Sequence, residues 1–243
     1  MSDHRKKTRI AALGDIHVGE LVQKNYQDLF QQISREADVL AITGDLTQRG
    51  TIRDAELLLD QLTYCTVPVV CVLGNHDYEN NLEMEITSML RQRNIHVLDG
   101  ISTMIEGVAF VGSKGFGGGF DGLALSSFGE PLVKEFVKAS LDEALLLETA
   151  LRDVEPDTPI CVVLHYSPIR STVEGEPVDI FPFLGSSRLL EPLERFDVNI
   201  ILHGHAHHGT HEGKTQKGIP VYNVSLPLLE SIHPEKPFKL IQL

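Results

Sequence analysis

Three short pairs stand at equal steps near the start of the chain: Gly14-Asp15, Gly44-Asp45 and Gly74-Asn75, thirty residues apart each time. Each follows an apolar run: IAAL, VLAIT and VVCVL. Further on, VVL leads into His165, and NIIL into His203-Gly204-His205-Ala206-His207. Carboxylate, amide and imidazole side chains gathered in one place are the make-up of a metal site. Asp15 and His17, two residues apart at a strand end, can face one ion. Alternating histidines around a glycine are hard to explain by packing. Protonated, they would repel one another unless cations hold them neutral. His205 and His207 are the candidate ligands there, His203 reads as a support behind the ligands or as structural, and His208 and His211 as solvated. Asn75 can offer a carbonyl oxygen. His76 beside it would stand near the metals without binding them, with Asp77 holding its imidazole charged and oriented, which is the arrangement of a general acid. A lone Gly-Asp is usually a turn; the equal spacing and the downstream histidines argue for ligands instead.

These residues need a scaffold that brings them together. About thirty residues is one strand-helix-strand unit, and parallel strands deliver their C-terminal ends to one edge, where ligands bind. The hydrophobic periodicity predicts strands over 8–13, 39–43, 67–73, 160–164 and 199–203, and helices over 24–36, 51–63, 81–93, 132–152 and 186–196. Residues 101–112 read as a hairpin, 166–185 as a loop, and 213–216, 220–224 and 238–243 as short strands. The alternation predicts an α/β fold with a parallel sheet. The helix over 132–152 is expected to turn Val133, Phe136, Val137, Leu141, Ala144, Leu147 and Leu151 to the core. A glycine-rich stretch, 114–131, carries Phe116, Phe120 and Phe128. It reads either as a lid whose rings stack on a base or as a surface loop whose rings tuck into the core.

The bulk numbers exclude several classes. With 243 residues and no linker-like composition shift, the chain is expected to form one domain over 1–243. A formal net charge of -13, from 21 basic and 34 acidic residues, argues against a non-specific binder of nucleic-acid polymers or membrane surfaces. Small anionic substrates remain compatible, because bound cations reverse the local sign. Cys65, Cys71 and Cys161 show no metal or redox spacing and read as reduced structural thiols. The start, HRKKTRIAALGD, is basic without an apolar stretch of signal-peptide length, and nothing has the length of a membrane span. A cytoplasmic location is the expectation.

The set Asp15-x-His17, Gly44-Asp45, Gly74-Asn75-His76-Asp77, His165 and Gly204-His205-x-His207 resembles the calcineurin-like metallophosphoesterase superfamily. Five blocks stand in order between residues 15 and 207. The resemblance implies a four-layer α/β/β/α sandwich with a dimetal site at the C-terminal ends of the strands. It implies that Asp15, His17, Asp45 and His207 hold the first ion, and that Asp45, Asn75, His165 and His205 hold the second, with Asp45 as the bridge. Mixed nitrogen and oxygen donors suit Mn, Fe or Zn over Mg or Ca, and the family favours Mn²⁺ or Fe. The implied reaction is in-line attack on phosphorus by a metal-bridging hydroxide, with His76 protonating the leaving oxygen and Asp77 orienting His76.

Departures from relatives narrow the branch. Gln48 and Asp77 stand where protein serine/threonine phosphatases usually carry Asp and Glu, and Gln48 also occupies the position of the purple acid phosphatase tyrosine ligand. The pattern is nearer to the bacterial cyclic-nucleotide phosphodiesterase-like group. A phosphodiesterase acting on a small nucleotide-type phosphoester is therefore the first reading. A phosphomonoesterase or nucleotide pyrophosphatase is the second. A non-catalytic metal-binding scaffold is a third reading, disfavoured because His76 and every ligand position are present. A homodimer is left open.

Overall fold

The computed structural model describes residues 7–21 and 24–243. His4 and most of the basic start lie outside the described residues. Two sheets face each other. The first has the order β11-β1-β2-β3-β4, formed by β1 (Arg9–Leu13), β2 (Val39–Thr43), β3 (Val69–Val72), β4 (His96–Val97) and β11 (Lys239–Gln242). All its neighbours are parallel except β11, which pairs antiparallel with β1. The chain end is sewn to the same strand: Thr8 N–H donates to the Leu243 carbonyl at 2.7 Å, and Leu243 N–H donates back at 3.1 Å. The second sheet has the order β5-β6-β7-β8-β10-β9. It is built from β5 (Ile101–Ile105), β6 (Val108–Ser113), β7 (Ile160–Leu164), β8 (Ile200–His203), β9 (Glu212–Lys214) and β10 (Pro220–Asn223). Its four central strands run parallel, flanked by antiparallel β5 and β9.

The central strands read as unbroken apolar runs because both of their faces are covered. Along β7 the two faces can be told apart by parity. Cys161 and Val163 belong to the core shared with the first sheet, while Val162 and Leu164 belong to the core on the other side. The first core is closed by α1 (Gln27–Glu36), α2 (Ile52–Leu62) and α3 (Glu83–Gln92), through Phe30, Ile33, Leu58, Leu62, Ile86 and Leu90. The second is closed by α4 (Pro131–Arg152) through Leu147, Ala150 and Leu151, with Leu193 of the short α6 (Leu190–Leu193). Each such side chain, fully buried, contributes roughly 1.5–3 kcal/mol. The layers are therefore helices, sheet, sheet, helix, as the resemblance implied.

Three elements depart from expectation. The segment 186–196 is not one helix but a 3-10 turn, Ser187–Leu189, running into α6. The loop 166–185 contains a short helix, α5 (Phe181–Leu184). Among the tail strands lies a helix, α7 (Leu226–Ile232), hidden from periodicity by its length of two turns and by the proline near its start. On α4 the buried stripe is Val137, Ser140, Leu147, Ala150 and Leu151, whereas Leu141 is 48% exposed and Val133 36%. The small side chains of Ser140 and Ala150 let the helix settle closely on that side, which leaves Leu141 on the flank of the stripe. No helix among the described residues is long and apolar enough to cross a membrane.

Candidate metal centre

Each predicted ligand sits where a parallel strand ends. Asp15 and His17 follow β1, Asp45 follows β2, Asn75 follows β3, His165 follows β7, and His205 and His207 follow β8. The parity of β7 carries His165 to the side of Cys161 and Val163, between the sheets. His203 has the parity of Ile201 and faces the opposite side. There it is fully buried, with Nε2 2.8 Å from Thr172 Oγ1 and Nδ1 2.8 Å from the Gly204 carbonyl. Its structural reading holds.

Three groups of candidate ligand atoms lie within 4.8 Å of one another: Asp15, His17 and His207; His17, Asp45 and His76; and Asp45, His165 and His205. Asp45 is shared by two of them, and its backbone neighbour contact is made by His76 N–H, which donates to Asp45 Oδ1 at 2.9 Å. Asn75 joins the last group, its Oδ1 2.8 Å from His165 Nε2.

The donor set fits metal ions on three observations. First, both ring nitrogens of His17 are buried with no hydrogen-bond partner, a costly state unless something else takes their place. Second, His165 Nδ1 lies 2.9 Å from the Thr43 carbonyl, which only an N–H can satisfy. Nε2 of the neutral ring then presents a lone pair to Asn75 Oδ1, and two acceptors so close call for a cation. Third, Asp15 (φ 55°), His17 (φ 46°), Asp45 (φ 47°) and His205 (φ 68°) all sit in the left-handed region. Such conformations cost roughly 1–3 kcal/mol each and gather at functional sites.

Glycine is demanded beside the ligands by lack of space. A Cβ on Gly74 would lie 2.1 Å from Asp45 Oδ1, and one on Gly204 would lie 2.3 Å from Asp15 Oδ2. Gly74 and Gly204 are thus the hollows into which the carboxylates of Asp45 and Asp15 fit, while Gly44 makes room for the His165 ring.

Burial sets the protonation. It lowers His17 and His203 to about 4 and His205 to about 3, and it holds His165 well below the ordinary histidine value. These rings are neutral at pH 7 and offer lone pairs. His207 moves the other way, raised mainly by its hydrogen bond to Asp15, at 3.1 Å. Asp45 is raised well above the ordinary carboxylate value, by burial first and then by Asp15 and Asp77. Three carboxylates at close quarters make a site that a cation relieves.

The role assigned to Asp77 is corrected. It does not touch the His76 ring. Its Oδ2 accepts from Gly74 N–H at 2.8 Å and Leu46 N–H at 3.1 Å, and its Oδ1 from Thr47 N–H at 2.8 Å and Thr47 Oγ1 at 2.6 Å. Fully buried, it ties the turn after β3 to the loop after β2. The His76 ring is held instead by the Gln48 carbonyl, 2.7 Å from Nδ1. The carbonyls of Thr43 and Phe183 likewise hold the rings of His165 and His205, the latter 3.1 Å from His205 Nε2. His208 is exposed, as expected. His211 is not solvated: it is half-buried with Nδ1 2.8 Å from the Asn223 carbonyl. In the glycine-rich stretch, Phe116 packs on Phe136 at 4.9 Å and Phe120 is buried against Phe181, while Phe128 is 83% exposed.

The calcineurin-like phosphoesterase family model matches residues 8–209, most of the chain and all five motif blocks. The chain belongs to this family. Its members use divalent metal ions, which agrees with the groups found here. The chain is 26% identical over 205 residues to a Bos taurus protein named "Transmembrane protein with metallophosphoesterase domain", covering 83% of this chain and 40% of that protein. It is 25% identical over 176 residues to an Arcobacter nitrofigilis protein named "Probable glycerophosphodiester phosphodiesterase GpdQ", covering 70% of this chain and 56% of that one. The chain thus spans about half the length of these curated relatives. Among solved structures, the phosphopantetheinyl hydrolase PptH of Mycobacterium tuberculosis shares the fold at a TM-score of 0.68 and 15% identity, over 98% of this chain and 96% of that one.

Proposed function

We propose that this protein is a dimetal-dependent phosphodiesterase acting on a small nucleotide-type substrate. Asp15, His17, Asp45 and His207 would hold one ion, and Asp45, Asn75, His165 and His205 the other. The mixed nitrogen and oxygen donors favour Mn²⁺ or Fe, with Zn²⁺ also compatible. Two such ions would supply activated water at neutral pH and charge compensation on both sides of an in-line displacement.

The observation that carries hydrolysis, beyond metal storage, is His76. Its ring lies against that of His17, 4.5 Å between centroids, and is fixed through Nδ1 by the Gln48 carbonyl. Nδ1 must therefore keep its proton, and Nε2 is the atom able to hand a second proton to a departing alkoxide. A metal-storage protein has no use for a histidine so anchored at the edge of the ligand set. A diester is favoured over a monoester because Lys114 and Arg170 already face carboxylates. Lys114 is paired with Glu143 at 3.5 Å, Arg170 stands 3.9 Å from Glu174 and over the Phe181 ring, and Arg49 is exposed. A monoanion needs less compensation than a dianion. The glycerophosphodiester phosphodiesterase name of one relative supports the same reading.

A substrate panel on one Mn²⁺-loaded preparation tests this: bis-4-nitrophenyl phosphate, 4-nitrophenyl phosphate, cyclic AMP and a dinucleotide. Turnover of at least one diester above the monoester is expected. Activity confined to the monoester would overturn the diester reading.

A further inference from the structure

A cavity of about 530 Å³ lies at the same sheet edge as the metal centre, outside the ligand set. Its floor is apolar, made by Leu73, Val97 and Leu98, with Met84 at the side. Leu73 immediately follows β3, Leu98 and Asp99 follow β4, and Lys114 follows β6. Those are the C-terminal ends of parallel strands, so the cavity and the ligands share one edge. Two contacts join them. His76 and Tyr78 occupy a single 3-10 turn, one at the metal centre and the other in the cavity wall. The Lys114 ammonium is 5.3 Å from the ring centroids of both Tyr78 and Tyr166, and the Tyr166 ring is 4.6 Å from that of His205.

The polar groups of the wall are unequally committed. Lys114 is paired with Glu143 and donates to the Gly115 carbonyl at 2.8 Å, and Arg91 donates to the Val97 carbonyl at 3.2 Å. Glu83 Oε2, in contrast, is buried with no hydrogen-bond partner. Lys114 is thus committed, while the wall keeps a carboxylate oxygen without a partner. A second phosphate would be repelled by Glu83 and Asp99. A cationic headgroup would be repelled by Lys114 and Arg91. What fits is a neutral, flat, largely apolar group that carries N–H or O–H donors.

We infer that this cavity, between α3 and the ends of β3, β4 and β6, binds the nucleoside half of the phosphodiester substrate. Tyr78 forms an aromatic wall for the base, and the Glu83 carboxylate accepts from its N–H groups or from the ribose hydroxyls. The inference rests on the diester reading above, and it names which part of the substrate confers selectivity. Discrimination through an otherwise unsatisfied buried acceptor is large, because a ligand lacking the donor leaves it unpaired.

Two measurements test it separately from catalysis and with it. The first is calorimetric titration of the metal-loaded protein with each of the four ribonucleosides, which have no phosphate. At least one should bind, and its dissociation constant should rise about tenfold, some 1.4 kcal/mol, in Thr87→Trp, which fills the cavity, and in Glu83→Gln. The second is the ratio of kcat/KM for thymidine 5′-(4-nitrophenyl phosphate) to that for methyl 4-nitrophenyl phosphate. It should exceed about ten in the wild type and fall towards one in Thr87→Trp. Absence of binding by all four nucleosides, or a ratio that Thr87→Trp leaves unchanged, would overturn the subsite. Nucleoside binding without diester turnover would instead overturn the phosphodiesterase reading and leave the subsite standing.

Discussion

The two sheets contribute to the centre in different currencies. The first supplies Asp15, Asp45 and Asn75, oxygen donors on short side chains, with His17. The second supplies only imidazoles: His165, His205 and His207. The oxygen side is anionic and holds three of the four positive-φ ligand positions, Asp15, His17 and Asp45, with His205 the fourth on the other side. On the imidazole side His165 and His205 are neutral through burial, and His207 alone is raised, by Asp15. Neither half is a metal site alone. The first would be self-repelling carboxylates, the second a neutral set with no charge to balance a cation. Closing the sandwich is what completes the chemistry.

This asymmetry can be broken by substitution. Removing the shared carboxylate should do most: Asp45→Asn is expected to lower kcat/KM by roughly three orders of magnitude or more and to deplete both ions. Metal analysis that still finds two ions per chain would remove Asp45 as the bridge. His76→Ala comes next. It should slow an alkyl phosphodiester by about 10²–10⁴-fold with metal content intact, and spare 4-nitrophenyl esters, whose leaving group needs no proton. Equal loss on both esters would contradict an acid role. His205→Ala, on the imidazole side, should leave one ion bound and one lost, read by elemental analysis of the dialysed protein. Loss of both would mean that the two halves are not separable. Asp77→Asn should cost about 2 kcal/mol in denaturant unfolding, because an amide cannot accept all four of the donors that the carboxylate holds. The pH optimum on 4-nitrophenyl esters should stay in place, which separates a tie between turns from a partner of His76.

The smallest net effect is a pH dependence of the metal-free protein, because the raised Asp45 and His207 oppose the lowered histidines. His17 and His203, lowered to about 4, and His205, lowered to about 3, bind protons less readily folded than unfolded. Between the ordinary histidine value of about 6.5 and those folded values the unfolded chain holds more protons, so stability falls as pH falls through that window. Melting temperature should drop from pH 7 to pH 5. A flat profile would show that these rings are not buried without metal. With metal present the drop should steepen, since protons then also compete for the ligands.

What the sequence carried, it carried through strand ends. Where an apolar run stops at Gly-Asp or at His, side-chain type and position are both in the letters, and the seven candidate side chains lie close together at one sheet edge. What it could not carry were partners made of backbone. The carbonyls of Gln48, Thr43 and Phe183 orient His76, His165 and His205, and any residue type has a carbonyl. The role of Asp77 escapes the sequence for the same reason: adjacency to His76 is visible in the letters, but four donors from two separate turns are not. The cavity was equally invisible, since Leu73, Leu98, Glu83 and Lys114 are ordinary residues until three strand ends and a helix enclose them. The glycine-rich stretch was readable only as two alternatives, and the fold divides it: Phe116 and Phe120 are packed away and Phe128 is left out.

The strand β11 has a consequence for how the molecule is made. Its pairing joins Arg9 to Gln242 and Ala12 to Lys239, among the most distant partners that the described chain possesses. During vectorial synthesis β1 can pair early with β2, but its other edge stays open until the residues of β11 emerge. An open parallel-sheet edge beside a strand bearing Asp15 and His17 is an aggregation-prone surface. Pairings of such long sequence separation also form slowly. Removing 239–243 should therefore harm yield and solubility during expression more than it harms the chemistry of protein that has already folded.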